Sequence, residues 1–271
     1  MIRRITDLNR YRDFIIGFID DEYFCDPHFL SEDQIDKRLF SFLKNDKHIA
    51  YGAFEDEEIT GLFVFLELQD EKYMELLGCF SRNEKAYEEL IAFFQEKYPG
   101  YQIDFVFNPK NHLLKEELKK ANAQFDVEQY KMSYTHKPLP YECDGIILLN
   151  DRYQDDYLDM HNKDLYWTGE KVIETPERFK VLIALEDDKA VGYVDVTYTY
   201  DDNEPVDLFV REEYRRKGYG RKLLTKAIKM NEPKDMSLHV DIDNIPALNL
   251  YRSLGFVIDE KRNEITANLF L

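Results

Sequence analysis

Cysteine is scarce in this sequence. The 271 residues include three cysteines, Cys25, Cys79 and Cys143, which are widely spaced and form no Cys-x-x-Cys pair. A disulfide framework needs several paired cysteines, and a structural zinc site needs closely spaced cysteine or histidine ligands. We therefore expect neither a disulfide scaffold nor a bound metal, and we expect the reducing environment of the cytoplasm.

Long apolar runs are also missing. The longest uncharged apolar run, residues 59–66, is far shorter than the ~20 residues that a membrane-spanning helix needs. Near the N-terminus, Asp7, Arg10 and Arg12 interrupt any apolar core of a signal peptide. The sequence thus predicts a cytoplasmic protein without a membrane partner.

Positive charge is in the minority. The chain has 36 Lys and Arg against 54 Asp and Glu, a formal net charge of -18. Nucleic-acid binding relies on clustered cations, so we expect no nucleic-acid partner. Eight of the 36 cations nevertheless fall within residues 211–229, beside only two acidic residues, Glu212 and Glu213. An acidic protein thus carries one local cationic segment.

A strand, a turn and a helix are predicted across that segment. Val206, Leu208 and Val210 alternate with other residues, as in a strand with one apolar face. After the turn, apolar residues recur at the spacing of one helix face, namely Leu223, Leu224, Ala227 and Ile228.

The turn itself is rich in glycine and cations. It contains Gly218 and Gly220 among Arg215, Arg216, Lys217 and Arg221. Glycine lets an anion approach backbone N–H groups closely, and a helix N-terminus favours negative charge. The turn therefore predicts a phosphate-binding site. An ordinary turn is the weaker interpretation, because it leaves the cations unexplained.

The two halves of the chain resemble each other at a shift of 131 residues. Four identities fall in one predicted hairpin without a gap: Ala53, Glu55, Asp56 and Gly61 match Ala184, Glu186, Asp187 and Gly192. The predicted order of elements is also shared, which indicates duplication. We predict two domains, residues 1–138 and 139–271, joined by a proline-containing linker. The corresponding turn of the first half starts at Ser81, which we expect to cap a helix with Glu84, and it has no glycine.

Two motifs of the second half occur together. Residues 215–220 read Arg-x-x-Gly-x-Gly, and residues 244–256 read Asn-x-x-Ala-x-x-x-Tyr-x-x-x-Gly-Phe. Their order and separation resemble the GNAT superfamily of acyl-CoA-dependent N-acyltransferases. The resemblance is strong over about 171–257 and rests on the repeat alone in the first half. It implies an α/β fold of two tandem domains, a degenerate first copy and a second copy that binds acyl-CoA. Each is expected to be a twisted, mixed but mostly antiparallel sheet flanked by helices.

The resemblance also implies donor-side residues. Turn amides and cations would grip the coenzyme A pyrophosphate, and the strand before them would pair with the pantetheine arm. Tyr251 matches the general-acid position, although a plain core tyrosine is the alternative. The implied coenzyme-binding residues are Leu208, Phe209, Val210, Arg215, Arg216, Lys217, Gly218, Tyr219, Gly220, Arg221, Asn244 and Ala247.

Two carboxylates are candidates for the general base. An amine with a pKa of about 10.4 is protonated at neutral pH and must lose a proton before attack. Glu204 is the first candidate, because several family members carry a glutamate there, and Asp207 is the second. Alternatively, Glu204 is a solvated carboxylate of a loop without a catalytic role. For Asp207 the alternative is that it only pairs with a lysine.

The acceptor is not predicted beyond a small-molecule or peptide amine. In this family the loop that contains Tyr166 and Trp167 walls the acceptor site, and Tyr157 lies near it in sequence, although a packed aromatic pair is equally compatible. His161 and His239 are isolated in sequence, so neither is given a role. The resemblance implies an N-acetyltransferase that uses acetyl-CoA. The alternatives are an acyl-CoA-binding sensor or scaffold without turnover, and a transferase of another acyl group.

Overall fold

The computed structural model describes residues 1–163 and 167–271. The described chain packs into two compact units. Residues 1–130, 241–243 and 259–271 form the first, and residues 131–240 and 244–258 form the second. The packing boundary lies near residue 130 and returns the C-terminal segment to the first unit, whereas the predicted domains divide the sequence once, between residues 138 and 139.

The first half begins with short, irregular helical segments and continues with longer elements. The first of these segments is a 3-10 turn, Leu8–Tyr11, which is followed by one short α-helix. In chain order the strands and helices are β1 (Ile2–Ile5), α1 (Arg12–Ile16), α2 (Glu32–Gln34), α3 (Phe40–Phe42), β2 (His48–Glu55), β3 (Glu58–Leu68), β4 (Tyr73–Ser81), α4 (Glu84–Lys97), β5 (Gln102–Phe107), α5 (His112–Lys120), β6 (Gln124–Phe125) and β7 (Gln129–Tyr134).

The second half has the same kind of order. Its strands and helices are β8 (Ile146–Leu148), α6 (Gln154–Met160), α7 (Gly169–Glu174), β9 (Phe179–Glu186), β10 (Lys189–Thr197), β11 (Asp202–Asn203), β12 (Pro205–Val210), α8 (Tyr219–Asn231), β13 (Asp235–Asp241), α9 (Ile245–Ser253), β14 (Phe256–Ile258) and β15 (Ile265–Phe270).

A mixed sheet forms the centre of the first unit, in the order β1-β2-β3-β4-β5-β15-β6. Neighbouring strands run antiparallel except β4 and β5, which pair in parallel over Tyr73–Glu75 and Gln102–Asp104. The C-terminal β15 pairs antiparallel with β5 along its whole length. Buried residues on both faces of this sheet pack against helices, α4 and α5 on one side and the N-terminal helical segments on the other.

Two sheets form the second unit, β12-β10-β9-β8 and β11-β13-β7-β14. Strand structure is interrupted after residue 125: β6 ends at Phe125, and β7 begins at Gln129 and pairs with β14. The predicted apolar face of α8 is buried. The mixed α/β architecture predicted from the sequence is confirmed.

The hairpins of the repeat match in detail. Asp56 and Glu57 have positive φ angles of 45° and 69°, and Asp187 and Asp188 have 48° and 65°. Two central residues with positive φ define the type I′ turn that suits hairpin twist. The register repeats as well, since Ala53 faces Gly61 in the first hairpin and Ala184 faces Gly192 in the second. The 131-residue shift is thus preserved in both backbone and pairing.

No described helix has the combination of length and apolar character that crossing a bilayer requires.

Candidate active site

The glycine turn leaves the start of α8 open. Gly218 occupies the N-cap with φ +92°, and no side chain caps the helix. Beyond Gly218 and its chain neighbours, no described atom lies within 4 Å of a Cβ built there, so the left-handed backbone, and not lack of space, favours glycine. The first amides of a helix have no acceptor within it. The N–H groups of Tyr219, Gly220 and Arg221 are therefore available to an anion.

Cations surround this open helix end. Arg215 donates to the Val210 carbonyl at 3.0 Å, which folds it back along β12. Lys217 lies 3.9 Å from Glu186 and Arg221 donates to Ser253 at 3.3 Å, so two of the charges have local partners. Arg216 is exposed and adopts a positive φ of 64°. The turn thus combines free amides with a positive field, as anion binding requires.

The strand before the turn has an open edge. Within the described residues β12 is an outer strand that pairs only with β10. Arg211 N–H donates to the Val191 carbonyl at 2.9 Å. Because backbone groups alternate sides along a strand, Phe209 also faces β10, whereas Leu208 and Val210 direct N–H and C=O toward the open edge.

That edge opens because two parallel strands diverge. Asp202 and Asn203 in β11 pair with Asp235 and Met236 at the start of β13. The chain then continues into β12, which in the described residues makes no pairing with β13. Unpaired backbone on such an edge can bind an extended ligand as an added strand would. The cleft lies beside α8, because a Cβ on Gly220 would stand 4.0 Å from Leu208 Cδ2.

Helix α9 closes this region with Tyr251. Asn244 caps α9 by accepting from the Ala247 N–H at 3.2 Å, so its side-chain oxygen has a structural use. Tyr251 is half-buried, with its ring edge-on to Phe256 at 5.9 Å. Burial, and secondly the charge of Asp207, raise the pKa of Tyr251 to about 12. Its hydroxyl is therefore protonated at neutral pH.

The two candidate bases have different surroundings. The Glu204 carboxylate forms an ion pair with Lys131, whose side chain is 9% exposed. Asp207 is 23% exposed and accepts a hydrogen bond from the Tyr193 hydroxyl. Glu204 thus has a cationic partner, whereas Asp207 belongs to a cluster of polar groups between β10, β12 and α6.

His161 and Asp195 form the buried part of that cluster. His161 Nε2 lies 2.9 Å from Asp195 Oδ2, and both side chains are nearly inaccessible. The Tyr157 hydroxyl donates to the same oxygen at 2.9 Å. Tyr157 is fully buried, so it contacts Asp195 and does not line an open surface. Burial raises the pKa of Asp195, and the hydrogen bonds from His161 and Tyr157 oppose that rise.

The donor atoms of this cluster are of types that bind metal ions. One donor atom each of His161, Asp195 and Asp207 lies within 4.8 Å of the others. The hydrogen bonds from His161 and the two tyrosine hydroxyls account for how the carboxylates are held. We therefore interpret the cluster as a hydrogen-bonded ion pair.

The remaining acceptor-side prediction concerned two aromatics. Trp167 packs against Phe179 at 5.0 Å and under the Arg178 guanidinium at 4.4 Å. Tyr166 lies outside the described residues.

Sequence reasoning missed His161, Asp195 and Tyr193. A signal was present: Asp195 stands alone in the apolar run of β10, where a carboxylate needs a partner. The identity of that partner depends on which loop crosses the strand, and this cannot be read from sequence spacing.

Comparison with known proteins agrees with the motifs. The sequence pattern described as "Acetyltransferase (GNAT) family" matches residues 146–256. A Bacillus subtilis (strain 168) protein, named as a candidate ribosomal protein bS18-alanine N-acetyltransferase, is 28% identical over 96 residues, which is 33% of this chain and 63% of the relative. The chain thus matches less than two thirds of that relative's length.

Solved structures match nearly the whole chain in fold. A GCN5-related N-acetyltransferase from Sphaerobacter thermophilus has a TM-score of 0.70 at 13% identity, covering 99% of this chain and 94% of that chain. A tandem GNAT protein from the clavulanic acid biosynthesis pathway has a TM-score of 0.58 at 10% identity, covering 99% and 97%. At such identities the likeness concerns the fold. Residues 146–256 thus match the GNAT acetyltransferase family in sequence, and the chain resembles solved GNAT proteins, one of them a tandem GNAT protein, in fold.

Proposed function

We propose that the second unit transfers an acetyl group from acetyl-CoA to a primary amine, by direct attack in a ternary complex. The observation that carries the proposal is the continuity of three features: the open edge of β12, the uncapped start of α8, and Tyr251 within the electrostatic reach of Asp207.

The residues at the turn fit the acyl-CoA that the fold implies. The free amides of Tyr219, Gly220 and Arg221, with the cation Arg216, would hold the pyrophosphate. Leu208 and Val210 would pair with the pantetheine arm through the open edge. Bound there, acyl-CoA supplies a thioester carbonyl and a thiol leaving group.

We assign the general base to Asp207 in preference to Glu204. The Glu204 carboxylate is occupied by Lys131, whereas Asp207 is partly exposed and held by Tyr193. Asp207 would take a proton from the acceptor ammonium and so release the amine lone pair. An N–H group on the open edge of β12 would stabilise negative charge on the carbonyl oxygen.

Tyr251 is the proposed general acid. Its hydroxyl would donate to the leaving sulfur, whose thiol form has a pKa near ~8.5. The Asp207 charge helps to raise the pKa of Tyr251, so protonation of Asp207 by the amine removes that contribution. The base step thus makes the acid stronger at the moment when the leaving group needs a proton.

Two variants and a matched control test these roles. We expect Asp207→Asn and Tyr251→Phe to lower kcat/KM by about 10²- to 10⁴-fold. Glu204→Gln should lower it by less than about tenfold. Equal losses for Glu204→Gln and Asp207→Asn would remove the basis for choosing Asp207, and unchanged turnover in Tyr251→Phe would exclude the acid role.

A thermal-shift panel of acyl-CoAs tests the donor. A ligand at 100 times its Kd stabilises a protein by about 2.7 kcal/mol. Acetyl-CoA should give the largest shift, and a larger shift with another acyl-CoA would reassign the acyl group. Binding without turnover on any amine would favour a sensor or scaffold.

A further inference from the structure

Two carboxylates face each other across the strands of the site. Asp195 in β10 and Asp207 in β12 are direct partners in the antiparallel register, and the register shifts immediately after them. Asp195 is 1% exposed. Like charges directly opposite each other destabilise a strand pair, and burial strengthens their repulsion. A cation close to both residues would relieve this repulsion.

His161 occupies the required place. Its Nε2 is 2.9 Å from Asp195 Oδ2 and 3.8 Å from Asp207 Oδ2. Its Nδ1 is 3.0 Å from the Asn162 carbonyl oxygen. A backbone carbonyl only accepts, so Nδ1 carries a proton, and an ionised Asp195 requires a second proton on Nε2. With Asp195 ionised, this hydrogen-bond geometry describes an imidazolium.

The surroundings hold the ring in this position. It stacks on Tyr193 at 5.2 Å with 12° between planes. A Cβ on Gly169 would come within 3.2 Å of the ring, so this glycine lets α7 close over it. The titratable groups around the ring are Tyr157, Glu170, Tyr193, Asp195 and Asp207. Burial alone lowers the pKa of His161, but the hydrogen bonds to Asp195 and Asn162 and the two carboxylate charges outweigh it and raise the pKa.

We propose that His161 is a buried, protonated positioning residue that bridges Asp195 and Asp207 and aims the Asp207 carboxylate at the acceptor. With Asp195 it forms an internal ion pair, which leaves one net negative charge at the exposed end of the cluster. That end suits an acceptor that arrives as an ammonium ion. His161 keeps its protons while Asp207 takes one from the amine, so an N–H bond breaks and an O–H bond forms. The catalytic part of this inference rests on the proposed function; the charge state of His161 does not.

The charge state can be measured without knowing the acceptor. In ¹⁵N-histidine NMR of the full chain at pH 7.5, we expect both ring nitrogens of His161 to show protonated shifts. Asp195→Asn should lower the titration midpoint of His161 by about one pH unit or more, because it removes the hydrogen-bonded anion. A neutral His161 in the wild-type chain, or a midpoint unmoved by Asp195→Asn, overturns the proposal. So does a change of the His161 signals on adding EDTA, which would indicate a metal site.

Charge balance gives a second readout. His161→Gln leaves two opposed carboxylates and should lower both the unfolding midpoint and kcat/KM, the latter by about tenfold or more. The double change His161→Gln with Asp195→Asn removes the excess charge, so it should be more stable and more active than His161→Gln alone. If the His161 ring had only a structural role, the double variant would be less stable and less active than His161→Gln, because a second change in a packed site adds to the destabilisation. His136→Gln, at an exposed histidine of the same unit, is the matched control and should change neither quantity.

The failures can be told apart. Absence of turnover with any amine would remove the proposed function while the NMR result still stands. A double variant that is less stable than His161→Gln would remove the charge-bridge role even if turnover is found.

Discussion

The strand-to-helix turns of the two units differ in how the start of the following helix is capped. In the first unit, the start of α4 is closed by its own side chains. Asn83 caps the helix by accepting from the Ala86 N–H at 3.2 Å, in place of the predicted Ser81. Ser81 accepts from the Asn83 N–H at 3.1 Å and donates to the Thr60 carbonyl at 2.8 Å. In the second unit, Gly218 starts α8 with no side-chain cap.

The neighbouring cations differ in the same sense. Arg82 donates to Asp21 at 2.6 Å and to the Gly17 carbonyl at 2.7 Å, and its guanidinium lies over the Phe18 ring. The Arg82 side chain therefore stabilises the first unit through these contacts. Within residues 1–163 and 167–271, the exposed Arg216 makes no comparable contact. A turn whose amides and cation are internally satisfied stabilises its fold, whereas an open turn can bind an anion.

The first unit nevertheless retains a divergence of parallel strands. β4 and β5 pair only over three residues and then separate, and a cleft of about 250 Å³ lies there, with Glu75 and Val106 among its walls. The fold thus reproduces the cleft in both copies. What distinguishes the second copy is the chemistry of one turn.

The largest predicted effect follows from closing the open turn. Gly218→Asp places a carboxylate cap where the phosphate would bind. Charge-assisted hydrogen bonds contribute about 1.5–3 kcal/mol each, so loss of two should weaken acetyl-CoA binding by at least about 100-fold. Isothermal titration calorimetry measures this directly.

The matched change is made in the other unit. Asn83→Ala removes the cap of α4 and should lower the free energy of unfolding by about 1 kcal/mol, without changing acetyl-CoA affinity. If Asn83→Ala weakens binding as much as Gly218→Asp does, the two turns are not functionally different.

A smaller effect is expected from the cations. Arg216→Ser should raise the Kd for acetyl-CoA by about tenfold and reduce its dependence on salt, because one exposed charge near the phosphate is lost. Arg82→Met should leave the Kd unchanged and destabilise the chain by about 1–2 kcal/mol through its lost contacts. Binding isotherms at two salt concentrations and urea unfolding separate these outcomes. A salt dependence untouched by Arg216→Ser would exclude it from the phosphate site.

The smallest effect concerns pH and the closed turn. Burial raises the pKa of Asp21, but the hydrogen bond from Arg82 and two backbone N–H groups outweigh it and lower the pKa. A lowered carboxylate pKa stabilises the fold above the pKa of the unfolded state, about 3.9, and this contribution disappears as pH falls through the folded value. The stability gap between wild type and Arg82→Met should therefore narrow from pH 7 toward pH 3. Lys85→Met, which removes an exposed ion pair, is the control. If the difference in free energy of unfolding between wild type and Arg82→Met stays constant with pH, the assignment is contradicted.

Much of the fold could be predicted from local patterns. The four identities of the repeat predicted two hairpins, and both form with the same turn type and the same alanine-glycine register. The apolar spacing of α8 and the glycine-rich turn at its start also predicted this helix, which begins at Tyr219 and so includes Gly220. These features depend on residues close together in sequence, so periodicity and turn chemistry are sufficient.

Long-range features could not be predicted in this way. The pairing of β15 with β5 joins the end of the chain to the first unit, and no local sequence pattern predicts which strand β15 pairs with. The cluster of His161, Asp195 and Asp207 likewise depends on tertiary contacts. His161 and Asp195 are 34 positions apart in sequence, and Asp195 and Asp207 are 12 positions apart. Only Asp195, as a carboxylate within an apolar strand, gave a sequence signal.

Hydrogen–deuterium exchange with and without acetyl-CoA tests the central claim most directly. The open turn predicts one bound molecule per chain and slowed exchange in peptides that cover residues 206–221, with no change at residues 81–86. Slowed exchange at residues 81–86, or an unchanged 206–221 segment at saturating acetyl-CoA, would contradict the assignment of the donor site to the second unit.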